Sequence, residues 1–158
     1  MYDCILVPTD GSREVERALE YAFDLAQLHN ATIRALYVVN AAGYGGLPME
    51  TALEGVSDAL RGEGRAAVDR VAELAPDDVT VETEIREGSP SQVIIDEAGP
   101  EACDLIVMGT HGRGGIDRLL LGSVTERVVR RASVPVLTVR VDPDDLEDWP
   151  EEPRLAAK

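Results

Sequence analysis

The chain has 158 residues, 44% of them apolar, enough for one domain with a sizeable core. With 30 acidic against 15 basic residues its net charge is −15, and such a surface repels nucleic acid. No run of 18 apolar residues occurs, so no membrane span is expected, and the opening residues read as a strand rather than a signal peptide, which points to the cytoplasm.

Asp3 to Pro8 holds Cys4-Ile5-Leu6-Val7, a continuous apolar run of the kind found in central parallel strands. Pro8-Thr9-Asp10-Gly11-Ser12 is a loop. Ser12 is positioned to cap a helix whose apolar stripe is Val15, Ala18, Leu19, Ala22, Leu25 and Ala26, with Asn30 as its stop. Thr32 to Val39 is a second, mostly apolar strand. Residues 41–49 contain Gly43, Gly45, Gly46 and Pro48 and read as a variable loop or a flap over a ligand. The following helix has apolar positions from Leu53 to Leu74 and ends at Pro76. Gly62 and Gly64 are each expected to weaken its middle by about 1 kcal/mol relative to alanine.

Val79 to Ile85 alternates, with Val79, Val81, Thr83 and Ile85 on one face, as in a half-exposed edge strand. Ser89-Pro90-Ser91-Gln92 has capping-box spacing with proline at the first helical position. Leu105-Ile106-Val107-Met108 is too short for a helix and reads as a buried strand. Residues 109–115 then contain four glycines, at 109, 112, 114 and 115. Gly122-Ser123 opens a helix running from Val124 to Ala132, which Pro135 stops. Val136 to Val139 is a last strand. Five strands alternating with four helices make an α/β fold, a parallel sheet with helices on both faces. Residues 142–158 carry seven carboxylates and three prolines and read as an acidic, disordered tail.

Strand, glycine loop, helix start is an order that suits a phosphate. Glycines let backbone N–H groups approach closely, and a helix start offers orphan donors and a partial positive charge. A tight turn with Ser123 as a simple cap explains the same residues equally well.

The spacing Gly109-x2-Gly112-x9-Gly122-Ser123 resembles the nucleotide-binding signature of the universal stress protein family, in the form carried by its ATP-binding members. The words Met108-Gly109-Thr110-His111-Gly112-Arg113 and Leu121-Gly122-Ser123-Val124-Thr125-Glu126 match as well, and the resemblance covers residues 1–141 as one domain. It implies a doubly wound, Rossmann-like sheet of the adenine nucleotide alpha hydrolase type, in strand order 3-2-1-4-5. Ligands in such sheets sit where the winding reverses, here between the first and fourth strands. By resemblance Pro8, Thr9, Val38 and Met108 would line an adenine slot, and Asp10 would reach the ribose unless it only forms the turn. Gly109, Gly112, Gly122, Ser123 and Val124 would hold the phosphates, with Arg113 or Arg118 reaching the terminal ones. The cofactor implied is ATP, with Mg2+ or Mn2+ held by its phosphates rather than by the protein.

Other phosphate binders lack their residues here. No Gly-x4-Gly-Lys motif exists, and Lys158 is the only lysine. Gly112-x-Gly114 is followed by Asp117 rather than a third glycine, and Arg140 stands where a phospho-receiver needs lysine. No familiar nucleophile or metal motif appears. His29 and His111 have no ligand spacing, and a structural role suits His111 better than that of a base. Cys4 and Cys103 read as small buried residues rather than a disulfide pair. A non-enzymatic, ATP-binding regulatory module is therefore expected, with an unknown downstream protein partner. A slow ATPase in the same pocket, or a dimeric scaffold without nucleotide, are the alternatives. Family members commonly pair the last strand with its twin, so a homodimer through residues 136–140 is expected. Abundant carboxylates with a single lysine also resemble the proteins of salt-accumulating microbes, which suggests a halophile.

Overall fold

The computed structural model describes residues 1–40, 50–111 and 121–140. In chain order its elements are β1 (Cys4–Pro8), α1 (Arg13–His29), β2 (Thr32–Val39), α2 (Glu50–Leu74), β3 (Val81–Glu87), α3 (Pro90–Glu97), β4 (Leu105–Gly109), α4 (Ser123–Arg131) and β5 (Val136–Val139). The strands form one sheet in the order β3-β2-β1-β4-β5, with every pair parallel. This is the doubly wound order that the resemblance implies. The 41–49 loop and the acidic segment 142–158 lie outside the described residues.

Two cores follow from the alternation of side chains across β1, β2 and β4. Ile5, Val7, Ile33, Ala35 and Val107 point to one face, where Leu19, Phe23, Val68 and Val71 of α1 and α2 cover them. Leu6, Leu36, Ile106 and Met108 point to the other, against Ile94 of α3 and Val128 of α4. Leftward crossovers through α1 and α2 and rightward ones through α3 and α4 put the helix pairs on opposite faces, as right-handed connections require.

Several local expectations shift. The third strand begins at Val81 and runs on to Glu87, because it pairs with β2 as far as Val39↔Glu87. Val79 belongs instead to the turn before it, its N–H donating to the Pro76 carbonyl (3.0 Å). Ser89 is the N-cap of α3, and Pro90 starts the helix as expected, but the Ser89 side chain makes no cap hydrogen bond. Gln92 does not reach back either; its Nε2 donates forward to Asp96 Oδ1 (2.7 Å). The expected pair of separate thiols is also corrected: Cys4 and Cys103 are joined by a disulfide. A separation of 99 residues hides the fact that both lead into neighbouring strands on the same face of the sheet.

Candidate functional site

β1 and β4 are neighbours, yet they pair only at Ile5↔Leu105 and Leu6↔Ile106. Beyond these positions they diverge toward their carboxyl ends, because α1 leaves β1 on one face while α4 leaves β4 on the other. A cleft of about 540 Å³ opens at that point. Its position is the topological switch point of the sheet.

The first wall is the loop after β1. Thr9 is buried; its N–H donates to the Leu36 carbonyl (2.8 Å) and its Oγ1 accepts from the Gly11 N–H (3.1 Å). Asp10 Oδ1 accepts from the Ser12 N–H (2.9 Å), so its carboxylate does form the turn while also lining the cleft. Gly11 supplies the positive φ, +77°, that this turn needs. Ser12 is the N-cap of α1, but its hydroxyl makes no cap bond and is buried without a hydrogen-bond partner.

The second wall is the end of β4 with the start of α4. Gly122 is the N-cap and Ser123 the first helical residue, exposed at the cleft. The first N–H groups of α4 have no intrahelical acceptors and give the wall a positive edge. The Gly122 N–H donates to the Thr110 carbonyl (2.8 Å), which ties the helix start to the strand end across residues 112–120. Thr125 is buried, and its Oγ1 donates to the Gly109 carbonyl (3.0 Å). A Cβ on Gly109 would stand 3.3 Å from the His111 carbonyl oxygen, tighter than an ordinary contact. A side chain there would press on the backbone at His111. Within the same corner, His111 Nδ1 and Thr110 Oγ1 are 3.0 Å apart and share a hydrogen bond.

Between these walls, the half-buried Val38 and the buried Met108 form apolar sides. The structure therefore brings Pro8, Thr9, Asp10, Val38, Met108 and Gly109 to one cleft, together with Gly122, Ser123 and Val124. Gly112, Arg113 and Arg118 lie outside the described residues. Sequence reasoning missed Asn40, Pro90 and Ile94, which also line it. Asn40 follows β2 directly, so the rule that ligands gather at the carboxyl ends of strands was a usable signal. Nothing in the local sequence marks Pro90 or Ile94, which arrive with α3 from the far side of the sheet. The arrangement offers apolar walls, a carboxylate at one end, and a hydroxyl and backbone donors at the other. Those features suit a flat apolar ring system bearing a polar, anionic substituent.

The universal stress protein family model matches residues 1–140. The universal stress protein MJ0531 of Methanocaldococcus jannaschii is 41% identical over 141 residues, 89% of this chain and 83% of that protein. Among solved structures, the hypothetical protein MJ0577 of the same organism superposes with a TM-score of 0.80 at 30% identity, over 90% of this chain and 98% of that one. A universal stress protein solved in complex with cAMP superposes with a TM-score of 0.62 at 27% identity, over 88% and 97%.

Proposed function

The chain belongs to the universal stress protein family, and from that premise we propose that it is a regulatory module that binds an adenine nucleotide. The ligand is ATP, with Mg2+ or Mn2+ carried on its phosphates. The observation that carries this reading is the meeting of distant residues at one cleft: Pro8, Thr9 and Asp10 after β1, Met108 and Gly109 at the end of β4, and Gly122, Ser123 and Val124 at the start of α4. A phosphate would be met in that cleft by the first N–H groups of α4, which have no intrahelical acceptors. Adenine would lie between Val38 and Met108, beside Pro8 and Thr9. Asp10 would face the ribose, and Ser123 with the first amides of α4 would hold phosphate oxygens. Support also comes from the relative that was solved with cAMP, an adenine nucleotide.

The module acts as a homodimer through β5. Two edges bound the sheet, and they differ in chemistry. β3 carries Glu82, Glu84, Arg86 and Glu87, charges that discourage pairing. β5 reads Val-Leu-Thr-Val, with Leu137 exposed.

Titration calorimetry of ATP with magnesium in molar KCl tests the nucleotide reading. The wild type is expected to bind, and Ser123→Ala to bind about tenfold more weakly or worse, since a hydrogen bond to a charged group contributes roughly 1.5–3 kcal/mol. Absence of adenine-nucleotide binding by the wild type, or equal binding by the variant, would leave the nucleotide-free scaffold as the better reading.

A further inference from the structure

The disulfide stands at the opposite end of the same β1–β4 seam from the cleft. That seam is the least hydrogen-bonded in the sheet. β1 and β4 share two register positions, against five for β1 and β2, seven for β2 and β3, and four for β4 and β5. Its amino end is held by other means. The Asp104 carboxylate accepts from the Asp3 and Cys4 N–H groups at 3.0 and 3.3 Å, and the Asp104 N–H donates to the Cys4 carbonyl at 3.0 Å. The Cys4–Cys103 bond adds a covalent link at that point, across Cα atoms 4.5 Å apart.

We propose that Cys4 and Cys103 form a thiol–disulfide exchange site that opens and closes with the low-molecular-weight thiol–disulfide couple around it. Proximity is built into the sheet, so the two sulfurs remain neighbours in either state. Access is asymmetric. Cys103 is 0% exposed and Cys4 9%. In the reduced protein the Cys4 thiolate, having given its proton to water, attacks a small disulfide RSSR. A mixed Cys4–S–S–R bond forms and one RS⁻ leaves. The Cys103 thiolate then attacks Cys4 Sγ, and the second RS⁻ departs. Two protein thiols are oxidised, one RSSR is reduced, and the two protons released end on two RSH. The reverse sequence opens the bond. Cys103 follows a tight, solvent-exposed turn at Gly99 to Ala102, closed by the Ala102 N–H donating to the Gly99 carbonyl (2.9 Å) and the Gly99 N–H donating to the Cys103 carbonyl (2.9 Å). Local opening of that turn exposes the buried sulfur without unfolding the sheet.

The test is a glutathione titration of the full-length folded protein, trapped with a thiol-alkylating reagent and read by intact mass. Expected is a two-thiol change across graded ratios of oxidised to reduced glutathione, reversible in both directions. Thiols that stay alkylatable in fully oxidised glutathione overturn the proposal, as does a bond that reduced glutathione cannot open below the melting temperature. Oxidised wild type is further expected to melt about 10 °C above reduced wild type, given the stabilisation typical of a bond closing a long loop. The double variant Cys4→Ala, Cys103→Ala should show no difference between the two buffers. Equal melting of the two wild-type forms would overturn the link between bond and seam, and the wild-type titration stands even if the variant does not fold.

Discussion

The peptide between Gly109 and Thr110 is held at both of its polar atoms. Its carbonyl accepts from Thr125 Oγ1 (3.0 Å), and its N–H donates to the Val139 carbonyl (3.0 Å). One buried hydroxyl thus fixes the orientation of the glycine corner relative to the first turn of α4. Thr125→Val keeps the shape of the side chain and removes the donor. An orphaned buried carbonyl costs roughly 1–3 kcal/mol, so the variant should melt lower by several degrees and bind ATP severalfold more weakly. Thr125→Ser restores the donor and should recover the affinity. Thermal melts and calorimetry on the two variants separate a hydroxyl effect from a packing effect. Ser123 was legible in the sequence, because Gly-Ser at a helix start is a local signal. Thr125 was not, since its acceptor lies 16 residues back and only the return of α4 onto β4 brings them together.

At the scale of elements, α2 separates two glycines that look alike in sequence. A Cβ on Gly62 would meet nothing within 4 Å, whereas one on Gly64 would lie 2.5 Å from Tyr37 Cδ1. Gly64 is where the helix approaches the buried Tyr37 ring of β2. Gly62→Ala should therefore stabilise the protein by about 0.5–1 kcal/mol through helix propensity. Gly64→Ala should destabilise it by about 1–3 kcal/mol, because overpacking outweighs the same propensity gain. Chemical denaturation of both variants gives the two signs directly. Helix propensity is a local quantity and readable from sequence; the neighbour that reverses its sign is a cross-element contact and is not. The element order was legible for the converse reason. Continuous apolar runs at Cys4–Val7 and Leu105–Met108 alternate with 3.6-residue stripes such as Val15, Ala18, Leu19 and Ala22, and those periods are local. The edge strand β5 carries its own prediction. Leu137→Glu places a charge on an otherwise apolar edge and should turn the proposed dimer into a monomer by light scattering in concentrated salt, while nucleotide binding persists. A wild type that is already monomeric there would remove the homodimer from the proposed function.

For the molecule as a whole, charge is the dominant long-range term. The net −15 sits on a surface whose cations are nearly all arginine. Ion pairs such as Arg34–Glu82 (3.3 Å) and Arg70–Glu16 (3.3 Å) join partly exposed groups and contribute about 0–1 kcal/mol each. Salt at 1 M, with a Debye length of about 3 Å, weakens those pairs slightly and the surplus carboxylate repulsion much more. The melting temperature should therefore climb from dilute buffer to molar KCl, and a flat profile across that range would count against the salt-adapted reading of the composition. The place of β1 in the sheet has a further consequence, for synthesis. The first strand made is the central one. One of its edges is met by β2 soon after it emerges, but the other waits for Asp104 and β4, 100 residues behind Cys4. At a translation rate of roughly 5–20 residues per second that wait lasts roughly 5–20 s. By its last part the nascent half-sheet β3-β2-β1, with α1 and α2 already able to pack, exposes the bare apolar face of Leu6 and Leu36 and an unpaired strand edge. The ribosome-bound chain is most vulnerable to wrong pairing in that interval, and it is then that a holding chaperone would have something to hold.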